Sequence, residues 1–157
     1  MKELITLKFF IYYNILNNML NKFLVAYDDS EKSKKALELA IEIAKYTNAK
    51  IIILTVANTC IETMGMPLNE YLDKIKKACN EKISNAIEIM KSKNFNNFET
   101  VILEGEPVTT IVEYAKKENV DIIFVGSRGL SRLKKVFMGS VSQGILELAN
   151  IPVVVVK

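Results

Sequence analysis

The stretch Val125–Gly144, "VGSRGLSRLKKVFMGSVSQG", holds four of the chain's six glycines: Gly126, Gly129, Gly139 and Gly144. It also holds Arg128, Arg132, Lys134 and Lys135, and no acidic residue occurs from Ile122 to Leu146. Just upstream, "NVDIIFVG" is a short apolar run closed by glycine, which reads as a buried strand. Just downstream, "SVSQGILELAN" has helical spacing. The S-x-x-Q spacing of Ser140 and Gln143 predicts a capping box at its start. Strand, glycine-bounded segment and helix, in that order, form one step of an alternating β-α chain.

The same alternation extends outward on both sides. "KFLVAYDDS" is an apolar run that ends in turn residues. "SEKSKKALELAIEIAKYTN" places Ala36, Leu37, Ala40, Ile43 and Ala44 on one helical face, with Asp29 or Ser30 as N-cap. "AKIIILTVA" is a continuous β-branched run, as a strand buried on both faces requires. "NTCIETMGMP" reads as a loop. From Leu68 to about Lys93, apolar residues recur at three- and four-residue steps, which predicts a long amphipathic helix. "FETVILEGEP" is a strand and turn. Pro107 then suits the first turn of a helix, where its missing N–H would lack a partner anyway. Val108, Ile111, Val112 and Ala115 give that helix a buried face, and "IPVVVVK" is a closing strand.

This order predicts a single α/β domain: a five-stranded parallel sheet, doubly wound, with helices on both faces. Ligands of such sheets bind beyond the carboxyl ends of the strands, where the strand order reverses. The loops "YDDSEKS" and "GSRG" leave the first and fourth strands. They share a crevice only if those strands are adjacent, as in the order 3-2-1-4-5.

Composition narrows the chemistry. The chain has 157 residues, enough for one stable core, and a net charge of only +3. Lys2, Lys8 and Lys22 against Glu3 account for +2 of that, leaving +1 for residues 23–157. Neither nucleic acid nor a membrane surface is therefore expected as a partner. The chain has no histidine, which removes histidine bases, histidine-activated nucleophiles and the common zinc sites. Cys60 and Cys79 form no C-x-x-C and read as thiols of a reducing, cytoplasmic protein. Near the start, "LITLKFFIYYNIL" (Leu4–Leu16) is shorter than the roughly 18 apolar residues of a spanning helix and is interrupted by Lys8. "NNMLNK" offers no small-residue cleavage site. Residues 1–20 are expected to be a dispensable extension or to reflect a misplaced start, with translation beginning at Met19, and the domain at 21–157.

A helix N-terminus with little side-chain bulk exposes backbone N–H groups and a partial positive charge, so Gly139-Ser140 reads as an anion site. It is not a P-loop: Gly139 and Gly144 have the spacing, but Ile145-Leu146 stand where Lys and Ser/Thr are needed. No G-x-G-x-x-G follows the first strand, so dinucleotide binding lacks support. "GSRG" matches the G-x-x-G loop of KH domains, but that loop joins two helices and this one follows a strand.

One pattern spans the whole stretch: G-x2-G-x9-G-[S/T], here Gly126, Gly129, Gly139 and Ser140. With it, the sequence from Asn21 to Lys157 resembles the universal stress protein family. "FLVAYDDSEKSKKALELA", "EGEPVTTIVEYAKKENVDIIFVGSRG" and "IPVVVVK" resemble that family's opening, middle and closing segments. The resemblance implies a Rossmann-like fold of the adenine nucleotide alpha hydrolase type, and ATP, with Mg²⁺, as ligand. It implies that Gly126, Arg128 and Gly129 wrap the ribose and phosphates. Gly139, Ser140, Val141 and Ser142 would hold phosphates through N–H groups and hydroxyls. Asp28 would lie near the nucleoside, Ala26 and Val56 would line the adenine side, and Val125 would offer main-chain contacts. The chain departs from the family in reading Asp28-Asp29-Ser30 where many members have Asp-Gly-Ser. Asp29 lacks glycine's freedom and adds charge, unless it turns outward as a helix cap. A homodimer through Val153–Val156 is implied as well.

The leading expectation is an ATP-binding, homodimeric regulatory or stress-response module in which nucleotide shifts conformation or partner choice. A slow ATPase or phosphotransferase on the same site is the alternative, with Asp28 and a metal its one candidate centre. A nucleic-acid binder using the basic stretch comes third.

Overall fold

The computed structural model describes residues 20–59, 67–127 and 139–157. Residues 60–66 of the loop expected at Asn58–Pro67 and residues 1–19 of the expected extension lie outside these residues, as do Arg128 and Gly129. The element order is β1 (Lys22–Ala26), α1 (Glu31–Thr47), β2 (Lys50–Ala57), α2 (Leu68–Ser92), β3 (Phe98–Glu104), α3 (Pro107–Lys117), β4 (Ile122–Gly126), α4 (Ser140–Leu148) and β5 (Val153–Val156). The five strands form one parallel sheet in the order β3-β2-β1-β4-β5. This is the architecture the alternation predicts.

Period-2 geometry splits the apolar runs between two cores. Phe23, Val25, Ile51, Ile53 and Phe124 face α1 and α2, where they meet Leu37, Ile41, Ala86 and Met90. Leu24, Ala26, Ile52, Leu54, Ile123 and Val125 face α3 and α4, where they meet Ile111, Ala115 and Ile145. The helices therefore cover both faces, and the sheet is doubly wound. Phe23 and Phe124 stack across the β1–β4 seam with ring centroids 5.3 Å apart, tilted by 56°. The start of β1 is tied down by Asp121, whose Oδ2 accepts from the backbone N–H groups of Asn21 (2.7 Å) and Lys22 (2.8 Å).

Helix α1 begins at Ser30, whose Oγ accepts from the N–H of Ser33 at 3.2 Å. Its fully buried face carries Ile41, and Ile43 is only half-buried. Helix α2 spans the length that its spacing predicts, but its buried residues begin at Cys79; Leu68 is 60% exposed. Glu106 caps α3, accepting from Val108 N–H at 3.0 Å and Thr109 N–H at 2.8 Å, with Pro107 as the first helical residue. Among the described residues no helix is long and apolar enough to cross a membrane.

Candidate functional site

β1 and β4 are neighbours, and Ala26 pairs with Val125 at their carboxyl ends. The chain therefore leaves both strands at the same point, where the order reverses. A cavity of about 460 Å³ opens there. Its lining includes nine of the eleven residues expected from sequence: Ala26, Asp28, Val56, Val125, Gly126, Gly139, Ser140, Val141 and Ser142. Arg128 and Gly129 lie outside the described residues.

The cavity has an apolar wall and a polar one. Ala26, Leu54, Val56, Ile111 and Val125 form the apolar part, together with Pro107 at the start of α3. Such a slot suits a flat, largely apolar ring. Leu54 and Ile111 escaped the sequence reading because their spacing marks them as core. Only the sheet order reveals that this core opens at one end.

The polar wall begins at the β1–α1 turn. Asp28 Oδ1 accepts from the N–H of Ser30 at 3.1 Å, fixing the carboxylate over the start of α1. Ser33 Oγ donates to Ser30 O at 2.9 Å. Asp29 adopts a left-handed backbone, φ 68°, the conformation that glycine takes at least cost. Its side chain does not cap α1, because Ser30 does. Instead it accepts from Tyr27 Oη at 3.0 Å and Asn85 Nδ2 at 3.0 Å, and pairs with Lys34 at 3.5 Å. Tyr27 ionises well above the ordinary phenol range, first because of burial and then because of its bond to Asp29. The added charge is thus neutralised locally by Lys34 and two further donors.

The other polar wall is the start of α4. The capping box expected from Ser140 and Gln143 is not formed. Gly139 is the N-cap, without any side-chain cap, and Gln143 Nε2 donates to Glu147 Oε1 at 2.9 Å. Helix geometry leaves the N–H groups of Ser140, Val141 and Ser142 without intrahelical acceptors, and no acid lies in the first turn. With Gly139 as N-cap, no side-chain cap of the helix covers those donors. Ser142 is buried and its Oγ donates toward Gly139 O (2.9 Å) and Ser127 O (3.2 Å). Gly139 N–H donates to Ser127 O at 2.6 Å. Together these bonds hold the α4 N-terminus against the end of β4.

Gly126 has a packing role in addition to its place in the cavity. A Cβ there would fall 2.8 Å from the carbonyl carbon of Lys32 and the nitrogen of Ser33, so only glycine lets β4 end against the first turn of α1. Gly144, to which the sequence reading gives no role, packs α4 on α3: a Cβ would lie 2.7 Å from Val108 Cγ2. Among the described residues no group of three acidic or cysteine side chains could hold a metal ion. Thr55, Asn58 and Lys82 also line the cavity, and nothing in their local sequence marks them.

Comparison with known proteins agrees with the fold. The sequence model of the universal stress protein family matches residues 19–157. Universal stress protein YxiE of Bacillus subtilis is 36% identical over 149 residues, covering 88% of this chain and 100% of its own. The structure of MJ0577, a universal stress protein of Methanocaldococcus jannaschii, superposes with a TM-score of 0.75 at 30% identity, covering 88% of this chain and 96% of its own. A universal stress protein solved in complex with cAMP superposes with a TM-score of 0.70 at 26% identity, covering 88% and 98%. By sequence and by fold, the chain belongs to the universal stress protein family.

Proposed function

We propose that the protein is a cytoplasmic regulatory module of this family that binds ATP in the cavity between β1 and β4. The carrying observation is convergence: Ala26, Asp28, Val56, Val125, Gly126 and Gly139–Ser142, far apart in sequence, line one cavity with an apolar slot and an uncapped helix N-terminus. An adenine ring fits the slot, and phosphates fit the donors of Ser140, Val141 and Ser142. The relative in complex with cAMP supports an adenine nucleotide as the ligand class. Arg128 and Gly129 complete the motif on the segment between β4 and α4. Asp28 is the one carboxylate in the described lining, so Mg²⁺ would arrive with the phosphates and take most of its oxygen ligands from them and from water. The nucleotide acts as a ligand that biases conformation or partner choice.

We also propose a homodimer through β5. The two sheet edges differ in kind. β3 carries Glu99 and Glu104, and Lys50 pairs with Glu99 there, the charged pattern of a protected edge. β5 is Val153–Val156 without a charge, and α4 beside it leaves Leu146 42% and Leu148 52% exposed.

Small molecules released from gently purified protein, separated by HPLC, test the nucleotide assignment. Adenine nucleotide is expected from the wild type and not from the Gly129→Val, Gly139→Val double variant. An empty wild type with no thermal shift in millimolar Mg·ATP would refute it.

A further inference from the structure

One wall of the cavity belongs neither to the glycine motif nor to the strand ends. Helix α2 passes there and contributes Lys82. This part of α2 is firmly placed. One turn earlier Cys79 is buried, and Ile83 and Ala86 insert into the core beside Met90. One turn later Asn85 holds Asp29, which joins α2 to the turn that carries Asp28. Lys82 is half-buried, yet among the described residues its ammonium has neither a hydrogen bond nor an ion pair. Lys74 pairs with Glu70 on the same helix and Lys93 with Glu38; Lys76, Lys77 and Lys91 have no ion pair among the described residues either, but they are exposed, whereas Lys82 is half-buried at the cavity.

The charges of the cavity sort into two kinds. Asp28 is acceptor-only, so it suits hydroxyl or amino donors at the nucleoside end of a ligand. The α4 N-terminus offers N–H donors and only a partial charge, and Lys82 supplies a full one. A cavity of about 460 Å³ has the volume of a sphere roughly 10 Å across. A four-carbon stem on one wall and backbone donors on another can therefore reach the same phosphate chain. A half-buried ammonium without a carboxylate partner among the described residues also loses little pre-existing interaction when an anion arrives.

We propose that Lys82 is a cation that contacts the phosphate chain of the bound nucleotide, reaching it from α2, outside the glycine motif. This rests on the adenine nucleotide assignment above. It makes α2 sensitive to occupancy: a phosphate held by both Lys82 and α4 links helices on opposite faces of the sheet.

Calorimetric titration of the full chain with Mg·ATP and with adenosine tests the proposal, using the wild type, Lys82→Met, Lys82→Gln and Lys82→Arg. A charge-assisted contact predicts that Met and Gln each weaken ATP binding roughly 10-fold or more. Adenosine binding should change less than about twofold, and Arg should retain most of the ATP affinity. The ATP affinity of Lys82→Met should also depend less steeply on salt than that of the wild type. Unchanged ATP binding in both Met and Gln variants, or equal losses for ATP and adenosine, overturns the role of Lys82 and leaves the nucleotide assignment standing. A wild type that binds neither ligand overturns both.

Discussion

Asp29 shows how one side chain can stabilise a backbone angle that it makes costly. Its left-handed φ of 68° costs a non-glycine residue about 1 kcal/mol. Against this stand its bonds to Tyr27 and Asn85 and its pairing with Lys34, each worth about 0.5–1.5 kcal/mol at most in such partly exposed places. The two contributions can be separated. Asp29→Gly removes the bonds and also the backbone cost, whereas Asp29→Ala removes the bonds and keeps the cost. In urea denaturation, Asp29→Ala should be less stable than Asp29→Gly by about 1 kcal/mol. Equal stabilities would mean that the turn is not held in this conformation in solution. From sequence, the missing glycine reads as a local disturbance near the ligand. Its remedy comes from Asn85, 56 residues away, and no local pattern can show that.

The helices repeat one device at their ends. Asn48 caps the C-terminus of α1, and Asn94 and Asn119 follow the ends of α2 and α3; all three have left-handed φ, between 53° and 58°. Asparagine tolerates this region better than most residues and satisfies the terminal carbonyls of a helix. Of the helix ends, Pro107 at the start of α3 was readable in the sequence. The cap before Pro107 is less usual, because Glu106 accepts two backbone N–H groups with its carboxylate. Those bonds, from Thr109 first and Val108 second, hold its pKa below the ordinary value of 4.5. A carboxylate with a lowered folded pKa adds stability that is present above the ordinary value and is lost as pH falls through the folded one. Wild type should therefore lose more stability than Glu106→Gln between about pH 5 and pH 3. The exposed position keeps the difference under about 1 kcal/mol. Parallel pH dependences in urea midpoints would exclude the cap's role. For α4 the sequence misleads: S-x-x-Q has the spacing of a capping box, but the helix begins at Ser140, one residue earlier than the box requires. Gly139 takes the cap because its N–H and Ser142 Oγ are drawn to Ser127 O at the end of β4. A tertiary contact overrides the local motif.

Taken whole, the molecule has two unequal sheet edges and one open strand end. If β5 is the dimer edge, light scattering after size exclusion at micromolar concentration should give about twice the 17.7 kDa chain mass. A monomer under those conditions would falsify the assignment. The order of elements, the parallel sheet, its buried strands and the helix faces were legible in the sequence because they depend on periodicity, and period 2 and period 3.6 are local properties of the chain. The glycine spacing marked the step from β4 to α4 for the same reason, since a lack of side-chain bulk is also a local property of the chain. Other features depend on distance between segments remote in sequence: the opening of the core at Leu54 and Ile111, the close approach of Gly126 to α1, the anchoring of Asp29 by Asn85, and the placement of Lys82 over the cavity. Local spacing says which face of an element is apolar, but the packing of one element on another sets which of these residues meet.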